Sequence, residues 1–174
     1  MMQIEELSYV ESKPNVSGKI KTDFSDFRVK EELGFTPTRN GEHVFVQVTK
    51  KGLTTIDVAK KISEVTGHKL SAIGYSGMKD KNGECTQWFS FPLSNNVGRI
   101  LDLIESTNLR IVTSYRNQSK LKIGNHKCND FDITIRNCVG DRHIFEERLK
   151  ATQQQGVPNY FGMQRFGHKF QNIA

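Results

Sequence analysis

Asp80 lies between two lysines, Lys79 and Lys81, in the segment GMKDKNG. A predicted strand ends here and a tight loop begins, and a loop carried on a rigid sheet is where catalytic groups are usually placed. A neighbouring cation favours the charged form of a carboxylate, and an ionised, partly desolvated aspartate can act as a nucleophile. An exposed aspartate in a turn is the more common meaning of such a triplet, so the triplet alone assigns no function.

Strand-like and helix-like segments alternate around this loop. Val44, Val46 and Val48 recur with a period of two, which predicts a strand, whereas Ile56 and Ile62 belong to a helical repeat. The mixed order predicts an α+β fold with a mixed, mainly antiparallel sheet and flanking helices. Strands are predicted over residues 19–23, 27–32, 43–49, 73–78, 86–92, 109–115 and 131–135, and helices over 56–66, 97–106 and, behind a cap at Asp141, up to about 155.

The chain of 174 residues has 25 Lys plus Arg and 19 Asp plus Glu, a net charge of +6. This balance is compatible with nucleic-acid binding and does not prove it. Residues 106–129 lack acidic side chains and could be a solvated basic loop or a strip that contacts RNA phosphates. We call their basic members the basic strip: Arg110, Arg116, Lys120, Lys122, His126 and Lys127.

The cysteines and histidines show no metal-binding spacing. Cys85, Cys128 and Cys138 are odd in number and form no C-x-x-C pair, so we expect reduced thiols and neither a disulfide framework nor a zinc site. No apolar run approaches the roughly 20 residues that cross a bilayer, and the N-terminus MMQIEELSYVES lacks an apolar signal core. We therefore expect a cytoplasmic protein with no membrane association.

Five sequence blocks, in order, carry a family resemblance. The Asp80 segment fits the pattern G-x-K-D-x-x-A/G-x-x-x-Q-W and resembles the tRNA pseudouridine synthase D family (TruD). Any one block would be weak, whereas five in the family's order are specific. The other four are DFRVKEEL (26–33), GEHVFVQVTKKGLTT (41–55), KLKIGNHKCNDFDI (120–133) and VPNYFGMQRFG (157–167).

The resemblance implies a fold and a reaction. It implies a pseudouridine-synthase-like catalytic core that acts on a uridine in tRNA, by resemblance uridine 13. The enzyme breaks the N1–C1′ glycosidic bond and rejoins the uracil through C5, with no metal and no organic cofactor. Asp80 matches the catalytic aspartate, which either attacks C1′ or removes a ribose proton. The target base must leave its stack, so a base-flipping pocket is expected.

The resemblance also implies substrate-binding residues. Phe27 matches a phenylalanine that contacts the substrate, although it could equally face the core. Asn129 matches an asparagine whose amide suits a uracil edge, although it could be a turn residue. Phe131 could stack on the flipped base or lie in the core. Lys21 is the candidate basic partner of Asp80, and Lys79 is the alternative.

Members of the family are longer than this chain, so the resemblance implies that part of the catalytic sheet is missing. Residues 1–155 are expected to be the N-terminal part of the catalytic domain, and residues 156–174 the start of an inserted second domain. Arg165, in the last block, could contact phosphate or support the domain junction. We expect the 174-residue chain alone to have little or no synthase activity.

Two other functions compete with the synthase. A non-catalytic RNA-binding module would use the basic strip and would bind tRNA in a salt-sensitive way without any role for Asp80. A deaminase would also handle a flipped base, but the His/Cys zinc pattern that such enzymes need is missing.

Overall fold

The structure is a computed structural model that describes Tyr9 and residues 15–157. Within these described residues the strands are β1 (Ser17–Lys19), β2 (Phe27–Leu33), β3 (His43–Lys51), β4 (Gly74–Tyr75), β5 (Glu84–Pro92), β6 (Leu109–Asn117), β7 (His126–Ile133) and β8 (Arg136–Val139). The helices are α1 (Thr55–Thr66), α2 (Val97–Ile104) and α3 (Arg142–Gln155). Short 3-10 turns cover Phe24–Asp26 and Leu70–Ala72.

Contacts within the chain divide it into two compact units. The sheet unit is Lys19–Arg136, and the terminal unit combines Met1–Gly18 with Asn137–Ala174. Strand β1 pairs with β8, and most of both strands belongs to the terminal unit. As predicted, Asp141 caps α3, because its side chain accepts the N–H groups of His143 and Ile144. The predicted division at residue 155 stays a prediction, and its C-terminal part from residue 158 lies outside the described residues.

A six-stranded mixed sheet forms the sheet unit. Its path is β6-β3-β5-β2-β7, and β4 pairs with β5 beyond the end of β2. The β2–β5 pairing is parallel and the others in this sheet are antiparallel. This confirms the predicted α+β fold with a mixed, mainly antiparallel sheet, and it puts β6 and β7 at opposite edges.

Helices α1 and α2 cover one face of this sheet. The hydroxyl of Thr54 accepts the N–H of Asp57, which starts α1, and Gly67 ends it with a left-handed φ of 72°. The three alternating valines of β3 share one face, as their spacing predicted, and this face packs against α1. This helix-covered core comprises Val44, Val46, Val48, Val58, Ala59, Ile62, Ile73, Phe89, Phe91, Ile100, Ile104 and Leu109.

Strand β3 is buried on both faces. Phe45 points away from the helices and packs with Trp88 and Leu121 in a second, smaller core. Leu121 belongs to the segment that joins β6 to β7, so this connection crosses the second face on its way between the two edges. Trp88 is 7% exposed, so it is a packing residue of this second core.

Three predicted strands differ from the structure. Residues 19–23 are wrong as a strand because Lys21 has a φ of 58°, which β geometry does not allow. Residues 73–78 supply only the two-residue strand β4, since the chain turns there into the Asp80 loop. The alternation through 131–135 does not continue as one strand: β7 ends at Ile133, and β8 starts at Arg136.

A buried carboxylate anchors the start of β2. Asp26 is 1% exposed, and the guanidinium of Arg136 donates to it from Nε at 2.8 Å and from Nη2 at 2.7 Å. The Arg136 hydrogen bonds hold the pKa of Asp26 below its ordinary value, helped by the N–H of Asp23. A lowered folded-state pKa stabilises the protein above the unfolded-state value, and this contribution disappears as the pH falls through the folded-state value.

We therefore expect Asp26→Asn to flatten the acid limb of the stability profile. In the wild-type chain, the free energy of unfolding should decline as the pH falls below about 4, where carboxylates of ordinary pKa become protonated. The variant should be less stable at neutral pH but should lose less on acidification. Urea unfolding at a series of pH values measures this, and parallel acid limbs for both proteins would contradict it.

Candidate active site

Asp80 lies in the loop between β4 and β5, beside the part of the sheet that the helices leave uncovered. Its Oδ2 is 3.3 Å from Nζ of Lys21, and the two side chains are 33% and 29% exposed. Nζ of Lys21 also lies 4.0 Å from the centroid of the Phe27 ring. Lys21 has a left-handed backbone conformation, which excludes it from the predicted strand. It lies instead in a turn, and from there its ammonium group reaches Asp80. A paired yet accessible carboxylate is suited to act as a nucleophile or a base.

Two buried polar side chains hold the Asp80 loop on the sheet. Thr55 and Gln87 are fully buried, and the Thr55 hydroxyl donates to Oε1 of Gln87 at 2.9 Å. The amide of Gln87 donates to the carbonyl of Gly77, while the Thr55 hydroxyl accepts the N–H of Lys79 at 2.9 Å. The Gln of the Q-W pair in the motif thus has a physical role, because it fixes the backbone just before Asp80.

Lys50, on β3, contacts the same loop from its buried side. It has no exposed surface, and its Nζ donates to the carbonyls of Leu53 at 2.8 Å and Asp80 at 2.7 Å. Burial lowers the pKa of Lys50, whereas nearby Cys85 and Asp80 act in the opposite direction. Burial also raises the pKa of the Cys85 thiol, whose Sγ donates to the Asp80 carbonyl at 3.5 Å. Both buried groups therefore bind the backbone of the residue that carries the exposed carboxylate.

Lys79 does not pair with Asp80. Its Nζ lies 2.7 Å from Oε2 of Glu31 on β2, and the side chains are 6% and 0% exposed. Oε1 of Glu31 accepts the N–H of Trp88 at 3.2 Å. The choice left open between Lys21 and Lys79 thus falls on Lys21, because the adjacent lysine turns into the protein and ties the loop to β2.

Two aromatic rings form a row with the Asp80–Lys21 pair: Phe27 lies under Lys21, and Phe131 contacts Phe27. Phe27 is 9% exposed, and its ring meets that of Phe131 edge to face at a centroid distance of 6.0 Å. Phe131 is 59% exposed, so its alternation with Ile133 does not mark a core position. Ile133 itself is 44% exposed. Phe27 is largely a packing residue under Lys21, whereas Phe131 offers an open ring face.

Asn129 shares the face of the sheet that bears Phe131. On β7, Asn129 is opposite Glu31 and Phe131 is opposite Val29, and side chains two residues apart point the same way. Oδ1 of Asn129 is buried and accepts no hydrogen bond from the described residues. A buried acceptor without a partner is costly, so this oxygen is available to a ligand donor.

The basic strip is not one surface. Arg110 and Arg116 lie on β6, whereas His126 and Lys127 lie on β7 at the opposite edge of the sheet. The guanidinium of Arg116 donates to the carbonyl of Gly41. The basic strip is therefore spread over two edges of the sheet, and its contact with RNA phosphates stays a prediction. Arg165, the other candidate phosphate contact, lies outside the described residues.

Sequence reasoning did not assign Lys50, Thr55 or Glu31 to the site. One signal was available for Lys50: it follows Val44, Val46 and Val48 in period two, which places a lysine on the core face of a strand. Buried lysines are rare without a partner, so that position should have been expected to bind something. Thr55 and Glu31 show no comparable signal in the sequence.

The described residues contain no group of histidine, cysteine, aspartate or glutamate side chains that could hold a metal ion. The expected absence of a metal or an organic cofactor stays a prediction. None of the helices in the described part of the chain is long and apolar enough to cross a membrane.

Comparison with known proteins gives one consistent family. The family model described as tRNA pseudouridine synthase D (TruD) matches residues 3–173. A tRNA pseudouridine synthase D of Proteus mirabilis is 38% identical over 173 residues, which are 99% of this chain and 49% of the relative. One of Methylococcus capsulatus is 40% identical over 156 residues, 90% of this chain and 44% of the relative. The chain spans about half the length of the curated relatives it matches.

A solved structure gives the same likeness at the level of the fold. The crystal structure of a Methanosarcina mazei protein named as tRNA pseudouridine synthase D (TruD) superposes with a TM-score of 0.78 at 28% identity. The match covers 92% of this chain and 38% of that chain.

Proposed function

This chain belongs to the tRNA pseudouridine synthase D (TruD) family, and from that premise we propose that it carries the catalytic aspartate of an enzyme that isomerises a uridine in tRNA to pseudouridine. One observation supports this most strongly. The Asp80 carboxylate is partly exposed and paired with Lys21, which lies over the buried Phe27, and the Phe27 ring contacts the exposed ring of Phe131. A surface turn aspartate would not need the buried network that holds its loop.

The reaction conserves atoms and needs no redox partner. The N1–C1′ bond breaks, the uracil turns, a C5–C1′ bond forms, and the proton lost from C5 is balanced by one gained at N1. Asp80 either attacks C1′ or removes a ribose proton, and both roles need an ionised carboxylate. The Lys21 ammonium group lies 3.3 Å from this carboxylate and forms an ion pair with it.

The neighbouring residues suit a flipped pyrimidine. We assign stacking on the base to Phe131, whose ring is the exposed member of the row. The Asn129 amide can donate to and accept from a uracil edge, and its Oδ1 is without a partner among the described residues. Phe27 shapes the floor beneath Lys21, and Lys79 supports the loop through Glu31 rather than binding substrate.

The test is pseudouridine formation on tRNA transcribed without modifications. We expect the full-length protein to form pseudouridine, by resemblance at position 13 of the D-stem, mapped by primer extension after chemical labelling of pseudouridine. We expect the 174-residue chain alone to show little or no activity, since catalysis needs the whole positioned site. Salt-sensitive tRNA binding by the full-length protein without any pseudouridine would instead support the non-catalytic RNA-binding module.

Phe131→Ala should weaken the reaction with little effect on stability. The ring is more than half exposed, so its removal opens no large cavity, whereas lost base stacking costs about 1–3 kcal/mol, or roughly 5- to 150-fold in the specificity constant. Steady-state kinetics and thermal unfolding of the same variant separate the two effects. Phe131→Tyr, which keeps a ring, should be close to wild type. A large loss of stability with unchanged kinetics would show that Phe131 is a packing residue.

A further inference from the structure

Lys50 is a buried cation whose hydrogen-bond partners, among the described residues, are backbone carbonyls and not carboxylates. It donates to the carbonyls of Leu53 and Asp80 at 2.8 and 2.7 Å, and that of Lys79 lies at 3.5 Å. Its neighbour Lys51 differs in burial and in partner: the Lys51 side chain is half-exposed and forms an ion pair with Glu84 at 2.8 Å. Adjacent lysines on one strand thus lie in opposite environments.

Burying an ammonium group is expensive, and an apolar side chain of similar length would fill the same space at lower cost. The carbonyl groups that this ammonium group binds therefore indicate what the buried lysine does. Two of the carbonyls belong to Lys79 and Asp80, the residues at the centre of the loop, and the third belongs to Leu53, just before α1. One ammonium group thereby joins the start of a helix, the end of a strand and the Asp80 loop.

A bond to a carbonyl oxygen orients the peptide plane. The Asp80 carbonyl is bound by Lys50 at 2.7 Å and by the Cys85 thiol at 3.5 Å, both on the buried side of the loop. The N–H of the preceding residue, Lys79, is held by Thr55 at 2.9 Å. With the backbone around Asp80 held from the buried side, its carboxylate lies towards Lys21, 3.3 Å away.

We propose that Lys50 is the positioning residue of the catalytic aspartate: by binding the Asp80 carbonyl, its buried ammonium group sets the direction of the Asp80 carboxylate. This inference rests on the proposed function and deepens it, because it assigns a role that contacts neither substrate nor reacting atoms. A misplacement of about 1 Å in a reacting group can cost on the order of 100-fold in rate. Loss of Lys50 should therefore reduce the chemical step and leave tRNA affinity largely intact.

The experiment compares Lys50→Met and Lys50→Gln with Lys51→Met in the full-length protein. Methionine has a similar length but no donor, and glutamine retains one donor without the charge. Lys51→Met removes the neighbouring lysine of the same strand, whose ammonium group pairs with Glu84 and not with the loop carbonyls. Single-turnover kinetics on unmodified tRNA give the rate constant of chemistry separately from the dissociation constant. Hydrogen exchange of the Lys79 and Gly83 amides reports loop order independently of activity.

The expected result is a loss of about 100-fold in the chemical rate constant for both Lys50 variants, with dissociation constants within about twofold of wild type. Exchange at the Lys79 and Gly83 amides should become at least about tenfold faster, while the amides of the β3 ladder stay protected. Lys51→Met should match wild type in both measurements.

Three outcomes would overturn the proposal: a wild-type chemical rate in either Lys50 variant, a defect confined to tRNA binding, or global unfolding of both variants. Unfolding would show that the ammonium group stabilises the whole unit and not the loop. Asp80→Asn in the same assay keeps the two hypotheses apart, because an active Asn variant removes the proposed function, whereas an inactive one beside a fully active Lys50→Met removes only this inference. If no variant or wild-type protein forms pseudouridine, amide exchange alone decides whether Lys50 orders the loop.

Discussion

Asp80→Asn should abolish pseudouridine formation while tRNA binding survives. Asparagine has nearly the same shape as aspartate, so the loop held by Thr55, Gln87 and Lys50 should keep its conformation. It has no charge to attack C1′ or to accept a ribose proton. Loss of a group at the reacting centre costs on the order of 10⁴-fold or more in turnover.

Asp132→Asn provides a matched control on the same sheet. Asp132 is 70% exposed and its carboxylate lies 3.4 Å from Arg28, so the substitution removes a carboxylate with a cationic neighbour but without a buried loop beneath it. We expect its turnover to stay within about twofold of wild type, as for most surface substitutions. Product yield over time and filter binding of tRNA measure both properties. Wild-type turnover by Asp80→Asn would remove Asp80 from catalysis.

Lys79→Met should strongly destabilise the sheet unit. Lys79 and Glu31 form a buried ion pair at 2.7 Å, and removing the lysine leaves the Glu31 carboxylate buried with, among the described residues, only the N–H of Trp88 as a donor. Breaking a buried pair from one side typically costs 3–5 kcal/mol, about half of the stability of an ordinary domain. Urea unfolding of the 174-residue chain should show this as a lower midpoint.

Two further variants test the physical cause. Lys51→Met breaks the more exposed pair with Glu84 and should cost no more than about 1 kcal/mol. Glu31→Gln combined with Lys79→Met removes the stranded charge and should recover part of the lost stability. If the double variant were as unstable as the sum of the single ones, the cost would come from packing and not from an unpaired carboxylate.

Local sequence patterns were enough to predict most of the elements. The valines of β3, the Thr54 cap and Gly67 of α1, and the Asp141 cap of α3 all act within a few residues of the backbone they shape. Predictions were wrong where backbone conformation depended on distant partners. Lys21 has left-handed geometry in a turn, and the strand expected over 73–78 is shortened by the anchored loop.

The ordered motifs also proposed Asp80 as the catalytic residue and named candidate residues beside it. The motifs could not decide whether Lys21 or Lys79 pairs with Asp80. Lys79 is adjacent to Asp80 along the chain, and Lys21 is a candidate only through the family resemblance. In the structure, Lys79 forms a buried ion pair with Glu31 on β2, and Lys21 is the lysine that pairs with Asp80. Nor could the sequence separate a core Phe131 from an exposed one, since alternation is the same in both cases.

By itself, then, the sequence determined the family and the kind of fold and proposed Asp80 as the catalytic carboxylate, because these depend on the order of residues along the chain. Only the tertiary structure decided which side chains hold the loop that carries it. Lys50, Thr55 and Gln87 come from three elements separated along the chain, and they meet the Asp80 loop because the pairing of β3 with β5 and the docking of α1 bring them together. Contacts of this kind depend on strand register and burial, which no local spacing records.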